Sequence, residues 1–175
     1  MRLFIGIKTG CDDYLISLQN SLKEVGSGNF TLADNLHLTL KFLGEAPLHR
    51  IMDIEEAMRQ AAGEPLKLEL HGAKAFGRSG IVSAEVGGDI PALSSLVSRL
   101  EDALHTAGFA KEQRPYRPHI TLVREWRASP GLDISAVPHG ECRFTADEFI
   151  LFESTRQAGR LTYVPLYTQK LKRGE

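Results

Sequence analysis

Two copies of one four-residue pattern, His37-Leu38-Thr39-Leu40 and His119-Ile120-Thr121-Leu122, carry the side chains of this sequence best suited to chemistry. In each, polar and apolar residues alternate with the period of a strand, so His and Thr share one face and the apolar pair the other. Residues i and i+2 of a strand lie roughly 7 Å apart on the same face. Two such faces brought together would offer two imidazoles and two hydroxyls to one ligand. Imidazole titrates near neutrality, so one ring can give a proton while the other takes one. The threonine hydroxyls can meanwhile hold non-bridging phosphoryl oxygens. The set suits proton transfer at a phosphoryl centre.

The elements that must position these residues follow from hydropathy. Leu3, Ile5 and Ile7 alternate and predict a first strand. Asp12-Asp13 reads as the N-cap of a helix carrying Leu15, Leu18, Leu22 and Val25, stopped by Gly26. Ser27-Gly28-Asn29 reads as a polar loop before the first His-x-Thr strand, which continues through Lys41-Phe42-Leu43 to Gly44. Pro47 opens a second helix with Ile51, Ile54 and Met58 on one face. Leu66, Leu68 and Leu70 predict a strand, Val82, Ala84 and Val86 the next, with Phe76-Gly77-Arg78-Ser79-Gly80 as the loop between them.

Gly87-Gly88-Asp89 caps a third helix whose core face is Leu93, Leu96, Val97, Leu100 and Leu104. Residues 128–138 read as a loop, and 144–152 and 161–171 as two strands around the turn Gln157-Ala158-Gly159. Strands and helices in mixed order predict an α+β fold rather than a doubly wound parallel sheet. The motifs lie 119 − 37 = 82 positions apart in a chain of 175, which predicts two related lobes facing each other across a cleft.

A chain of 175 residues is expected to form one domain with a sizeable core. Its formal net charge of -1 argues against a nucleic-acid coat or a polybasic membrane binder, while leaving room for a local basic patch. Cys11 and Cys142 stand at no metal-ligand spacing and are expected as free thiols in a reducing, cytoplasmic compartment. The strand-like start is too short for a signal sequence, and no apolar run reaches membrane-spanning length. With no phosphate-binding Gly-rich loop and no His-x-His or His-Glu-x-x-His pattern, neither a nucleotide cofactor nor a metal is expected.

The residues around the motifs extend the pattern. Asn35-Leu36-His37-Leu38-Thr39-Leu40-Lys41-Phe42-Leu43-Gly44 and Arg117-Pro118-His119-Ile120-Thr121-Leu122 resemble the 2H phosphoesterase superfamily. Within it they are similar to the bacterial and archaeal RNA 2′,3′-cyclic phosphodiesterases, also called LigT-like proteins or 2′-5′ RNA ligases. The likeness includes the opening Arg2-Leu3-Phe4-Ile5-Gly6-Ile7, Gly108-Phe109, Phe152-Glu153-Ser154 and the Tyr163-x-Pro165-Leu166 tail. It departs at residues 29–34, where members usually carry an aromatic in an Arg-Trp type segment.

The resemblance implies a bilobal α+β fold, with antiparallel sheets lining a central cleft and helices outside. It implies metal-independent hydrolysis of a terminal RNA 2′,3′-cyclic phosphate to a 2′-phosphomonoester. His37 would be the proton donor to the departing 3′ oxygen, His119 the acceptor of the water proton, and Thr39 and Thr121 the phosphate contacts.

Other residues are candidates for substrate binding. Arg124 follows the second motif and could neutralise phosphate, although strict alternation sets it opposite His119. Arg117 falls on the face of His119 if the strand begins there, against which Pro118 weighs. Lys41 shares the face of His37 and Thr39. Phe42 and Phe76 could stack on a base, core packing being the stronger expectation for Phe42. His49, His71, His105 and His139 lack a threonine two positions on and are expected at the surface.

The expected partner is an RNA end bearing a cyclic phosphate or a small cyclic nucleotide, met by a monomer. Alternatives keep the site and change the substrate, to a nucleotide or ADP-ribose cyclic phosphate or a 2′-5′ linkage with ligation as the reverse reaction. A further alternative is a non-catalytic RNA phosphate-binding module, against which the near-neutral charge counts.

Overall fold

Alternating apolar residues lay down two antiparallel sheets whose greasy backs are covered by helices. The computed structural model describes residues 1–77 and 79–174, so Arg78 of the 76–80 loop lies outside the described residues. In chain order the elements are β1 (Arg2–Ile7), α1 (Asp12–Val25), β2 (Gly26–Phe30), β3 (Leu38–Glu45), α2 (Ile51–Ala61) and β4 (Leu66–Phe76). There follow β5 (Ile81–Gly88), α3 (Ile90–Thr106), β6 (His119–Ala128), β7 (Cys142–Ala146), β8 (Glu148–Gln157) and β9 (Arg160–Lys170). One sheet has the order β3-β1-β8-β9 and the other β2-β6-β5-β4-β7. All neighbours are antiparallel. The fold is α+β with two lobes, as expected, and each sheet holds one His-x-Thr strand.

The core faces follow the alternation. Leu3, Ile5 and Ile7 of β1 and Leu38 and Leu40 of β3 are buried against the helices, as are Leu93, Leu96, Val97, Leu100 and Leu104 of α3. Helix α1 packs on β2 and β6, while α2 and α3 pack on each other and reach β9 and β3. The Asp89 carboxylate accepts from Ala92 N and Pro91 sits in the first turn, the start expected for α3. Gly6 is required where β1 passes behind the first motif: a Cβ there would lie 2.9 Å from the Leu38 carbonyl oxygen and 3.2 Å from His37 Cδ2. The β8–β9 hairpin turns on Ala158 (φ 50°) and Gly159 (φ 77°), the two left-handed residues of a primed turn. No helix among the described residues is long and apolar enough to cross a membrane.

Four local expectations are corrected. Asp12 and Asp13 lie in the first turn of α1, whose N-cap is Cys11, so they act on the helix dipole rather than as caps. Residues 27–29 belong to β2, an edge strand paired with β6. Its backbone pairing makes it a strand, and hydropathy cannot reveal that because its middle residues are exposed. The stretch 144–152 is two strands, divided at Asp147, with β7 in one sheet and β8 in the other.

Finally, Cys11 and Cys142 are disulfide-bonded rather than free thiols. The fold carries the N-terminus of α1 to the edge strand β7, bringing two Cα atoms 131 residues apart in sequence to 6.3 Å. Paired as they are, these cysteines give no ground for a reducing compartment.

A bridge of this kind stabilises by about 2–4 kcal/mol through restriction of the unfolded chain. At 2–4 °C per kcal/mol, reduction should lower the melting temperature by roughly 5–15 °C. Cys142→Ser should melt at the reduced value with or without dithiothreitol. A wild-type melting curve indifferent to reductant would contradict the bond.

Candidate active site

A cleft of about 1100 Å³ is lined by His37, Thr39, His119 and Thr121. The two motifs enter it by the same device. His37 Nδ1 donates to the carbonyl oxygen of Asn35 at 2.6 Å, and His119 Nδ1 donates to that of Arg117 at 2.8 Å. Each acceptor lies two residues before its histidine, and a carbonyl oxygen can only accept. The proton of each neutral ring is therefore on Nδ1, leaving Nε2 with a lone pair. Nε2 of His37 meets the Thr39 hydroxyl at 2.8 Å, which donates to it in the neutral ring.

The strands that carry the motifs are braced from outside. Tyr116 Oη donates to the Thr39 carbonyl at 2.8 Å, and Thr31 Oγ1 donates to the Thr121 carbonyl at 2.9 Å. Each brace comes from the segment leading into the other motif. Gln19 Nε2 adds bonds to the carbonyls of Thr31 at 2.8 Å and Leu122 at 3.0 Å. Asn35, buried, donates from Nδ2 to the Leu161 carbonyl at 2.9 Å and so ties the His37 acceptor to β9. These braces escape a reading by residue type, because Thr31, Gln19 and Tyr116 act on backbone groups remote in sequence. Only Asn35 stands beside a motif.

Both strands break their alternation just past the threonine, and this re-sorts the candidates. In β3, Gly6 pairs with Thr39 and Ile5 with Lys41, so Leu40 is an extra residue. In β6, Ser83 pairs with Thr121 and Val82 with Val123, so Leu122 is extra. A bulge of one residue exchanges the two faces beyond it. Lys41 is consequently turned into the protein, 7% exposed, where it pairs with Glu101 at 2.9 Å and donates to the Ala110 carbonyl at 2.8 Å. The expectation that it shares the face of His37 is thus overturned. Phe42, expected to favour the core, is 69% exposed and lines the cleft. Arg124, set opposite His119 by strict alternation, lines the cleft with His119 and Thr121.

Phe76 and Arg117 lie to one side. Phe76 stacks on His119 with ring centroids 3.8 Å apart, and the Arg117 guanidinium stands 4.4 Å from the Phe76 ring centre. Both line a smaller adjoining pocket of about 300 Å³ rather than the main cleft. His37 is packed between Phe4, at 4.8 Å, and the edge of Tyr163, at 5.2 Å. His49, His105 and His139 are exposed and His71 pairs with Glu69, so none of them joins the cleft. Glu69, His71 and Glu141 form the one group among the described residues that could converge on a metal ion, and none lines the cleft.

Electrostatics distinguish the two rings. Burial pushes His37 down to about 4, helped by the positive charges of Lys8, His119 and Arg124 and opposed by its bond to Asn35. Burial also lowers His119, with Arg117 and Arg124 acting in the same direction and the hydrogen bond to the Arg117 carbonyl against it. In the ligand-free cleft both imidazoles are neutral at pH 7.

Known proteins resemble the chain in sequence and in fold. Residues 17–157 match the family model of the 2′-5′ RNA ligase superfamily. The chain is 34% identical to an RNA 2′,3′-cyclic phosphodiesterase of Escherichia coli (strain K12) over 80% of its own length and 78% of that protein. It is 32% identical to an RNA 2′,3′-cyclic phosphodiesterase of Bacillus subtilis (strain 168) over 67% of each. Its fold superposes on E. coli LigT complexed with 3′-AMP with a TM-score of 0.82 at 28% identity, covering 98% of both chains. With the family model matching most of its length, the chain belongs to the 2′-5′ RNA ligase superfamily.

Proposed function

We propose that this protein is an RNA 2′,3′-cyclic phosphodiesterase, hydrolysing the cyclic end to a 2′-phosphomonoester by acid–base catalysis with two histidines. The observation that carries the reading is the matched pair of Nδ1–carbonyl hydrogen bonds, which fixes both rings with Nε2 as the reactive nitrogen in a cleft that also holds two threonines and Arg124. The names of the similar proteins support the same activity.

In this mechanism Nε2 of His119 takes a proton from water as the water oxygen bonds to phosphorus. The bond from phosphorus to O3′ breaks, and Nε2–H of His37 delivers the proton that O3′ needs. Thr39, Thr121 and Arg124 hold the non-bridging oxygens, where charge builds in the transition state. Phe42, exposed at the cleft edge, offers a face on which a base can stack. No step requires a metal.

The acid must acquire its proton with the substrate, because the empty site keeps His37 neutral. A phosphate monoanion about 4 Å from the ring, at an effective dielectric of about 20, favours the imidazolium by about 4 kcal/mol. At 1.36 kcal/mol per unit that is about 3 pKa units. The lift carries His37 from about 4 to near neutrality, where a general acid works best. The substrate thus charges its own acid.

Two measurements test this reading. A short RNA ending in a 2′,3′-cyclic phosphate, incubated with excess EDTA, should be converted to the 2′-phosphate by wild type. His37→Ala and His119→Ala should each lose at least roughly 100-fold in rate. Inhibition by EDTA, or activity surviving in either variant, would refute the mechanism. In an NMR titration the free His37 ring should protonate only as pH falls through about 4. Saturation with adenosine 2′-phosphate should move that midpoint upward. An ordinary midpoint near 6.5 that ligand leaves in place would remove the substrate-charging step.

A further inference from the structure

One cation beside His37 takes no part in the chemistry. Lys8 stands one residue past the end of β1, half-buried, and does not line the cleft. Gly6 pairs with Thr39 and Ile7 with Leu38, so the next step of the register sets Lys8 against His37. Its ammonium forms no ion pair among the described residues. It donates instead to two backbone carbonyls, that of Leu36 at 2.7 Å and that of Asp34 at 3.0 Å. Burial pushes the Lys8 ammonium below the ordinary lysine range, with Asp12 and Asp34 pulling the other way. The two hydrogen bonds offset that desolvation.

The two acceptors flank the carbonyl that holds the ring. Residues Ala33–Asn35 form a 3-10 turn, closed by Asn35 N on the Leu32 carbonyl and Leu36 N on the Ala33 carbonyl. Three successive carbonyls leave this turn. Those of Asp34 and Leu36 accept from Lys8, and that of Asn35, between them, accepts from His37 Nδ1 at 2.6 Å. The Asn35 side chain is tied separately to the Leu161 carbonyl, which holds the residue but not the direction of its own carbonyl. Lys8 pins the peptide before that carbonyl and the peptide after it. In the second lobe Pro118 precedes the histidine, and its ring fixes φ at that step. Leu36 stands at the same place in the first lobe, so the stiffness must come from elsewhere. The charge of Lys8 acts on His37 and is not among those acting on His119.

We propose that Lys8 is a positioning residue for the reaction, locking the turn 33–36 so that the Asn35 carbonyl holds His37 as its Nδ1–H tautomer. Its effect on rate rests on the catalytic reading above, whereas its effect on the tautomer stands on the hydrogen bonds alone. Lys8 acts through the backbone and touches no reacting atom.

The test substitutes Lys8→Met, which keeps the reach of the side chain without its donors, and Lys8→Arg, which keeps charge and donors. Side-chain nitrogen shifts at pH 7 should show His37 of Lys8→Met as a mixture of tautomers, while His119 keeps its proton on Nδ1. On a short RNA ending in a 2′,3′-cyclic phosphate, kcat of Lys8→Met should fall roughly 10- to 100-fold, the scale of a small misplacement of a reacting group. KM should stay within about twofold, because the lost interaction orients the acid and does not bind substrate. Lys8→Arg should keep the His37 tautomer and most of the rate. Where Lys8→Met does not fold, Lys8→Gln, whose amide is too short to span both carbonyls, is read in the same way. A His37 tautomer unchanged by loss of the ammonium would overturn the proposal, as would equal disturbance of both rings or a rate loss that Lys8→Arg shares in full. Turnover of no substrate by wild type would remove the catalytic reading, and the tautomer of His37 would then decide the role of Lys8 by itself.

Discussion

The site depends on one short-range contact made twice: an imidazole Nδ1–H donated to the carbonyl two residues earlier. That bond does three things. It selects the tautomer, because a carbonyl cannot donate. It leaves Nε2 for other partners, and in His37 that nitrogen faces the Thr39 hydroxyl. It also couples ring orientation to backbone, so whatever holds Asn35 and Arg117 in place also holds the reactive nitrogens. The buried Asn35 side chain, bonded to the Leu161 carbonyl, is the clearest case. A misplacement of an ångström at a reacting nitrogen costs heavily in rate, and a site built from backbone hydrogen bonds resists it better than one built from free rotamers.

Symmetry accounts for most of the cleft and its breaking for the chemistry. Two His-x-Thr strands carry the same bulge, and each is braced by a hydroxyl from the segment leading into the other, Tyr116 on Thr39 and Thr31 on Thr121. The residue five past each histidine then differs in kind, Phe42 in one lobe and Arg124 in the other. One side of the cleft offers an aromatic face and the other a fixed charge. The rings differ as well. His37 is walled in by Phe4 and Tyr163, while His119 leans on Phe76 and keeps no hydrogen-bond partner for Nε2 among the described residues. Identical motifs thereby gain separate protonation behaviour, which acid–base work with two like groups requires.

Much of this was legible in the sequence. The repeat at half-chain spacing, the alternation within each motif and the core face of α3 all read correctly, because each is a local pattern that burial enforces. The errors share a cause. Strict alternation misplaced Lys41 and Arg124 because a bulge is decided by pairing with a neighbouring strand, and no property of residues 40–41 or 122–123 announces it. The strand β2 was hidden because its edge position asks for backbone partners rather than apolar side chains. The bond between Cys11 and Cys142 joins residues that only the finished fold makes neighbours. Phe76 found a partner that spacing could not supply, the ring of His119 itself.

The most direct test of this account is the tautomer of the two rings, read from side-chain nitrogen shifts of the ligand-free protein at pH 7. His37 and His119 should both be neutral with the proton on Nδ1. A neutral ring with its proton on Nε2 in place of Nδ1, in either residue, would contradict it: the backbone carbonyl would have lost its donor, and in His119 that nitrogen could not then serve as the base.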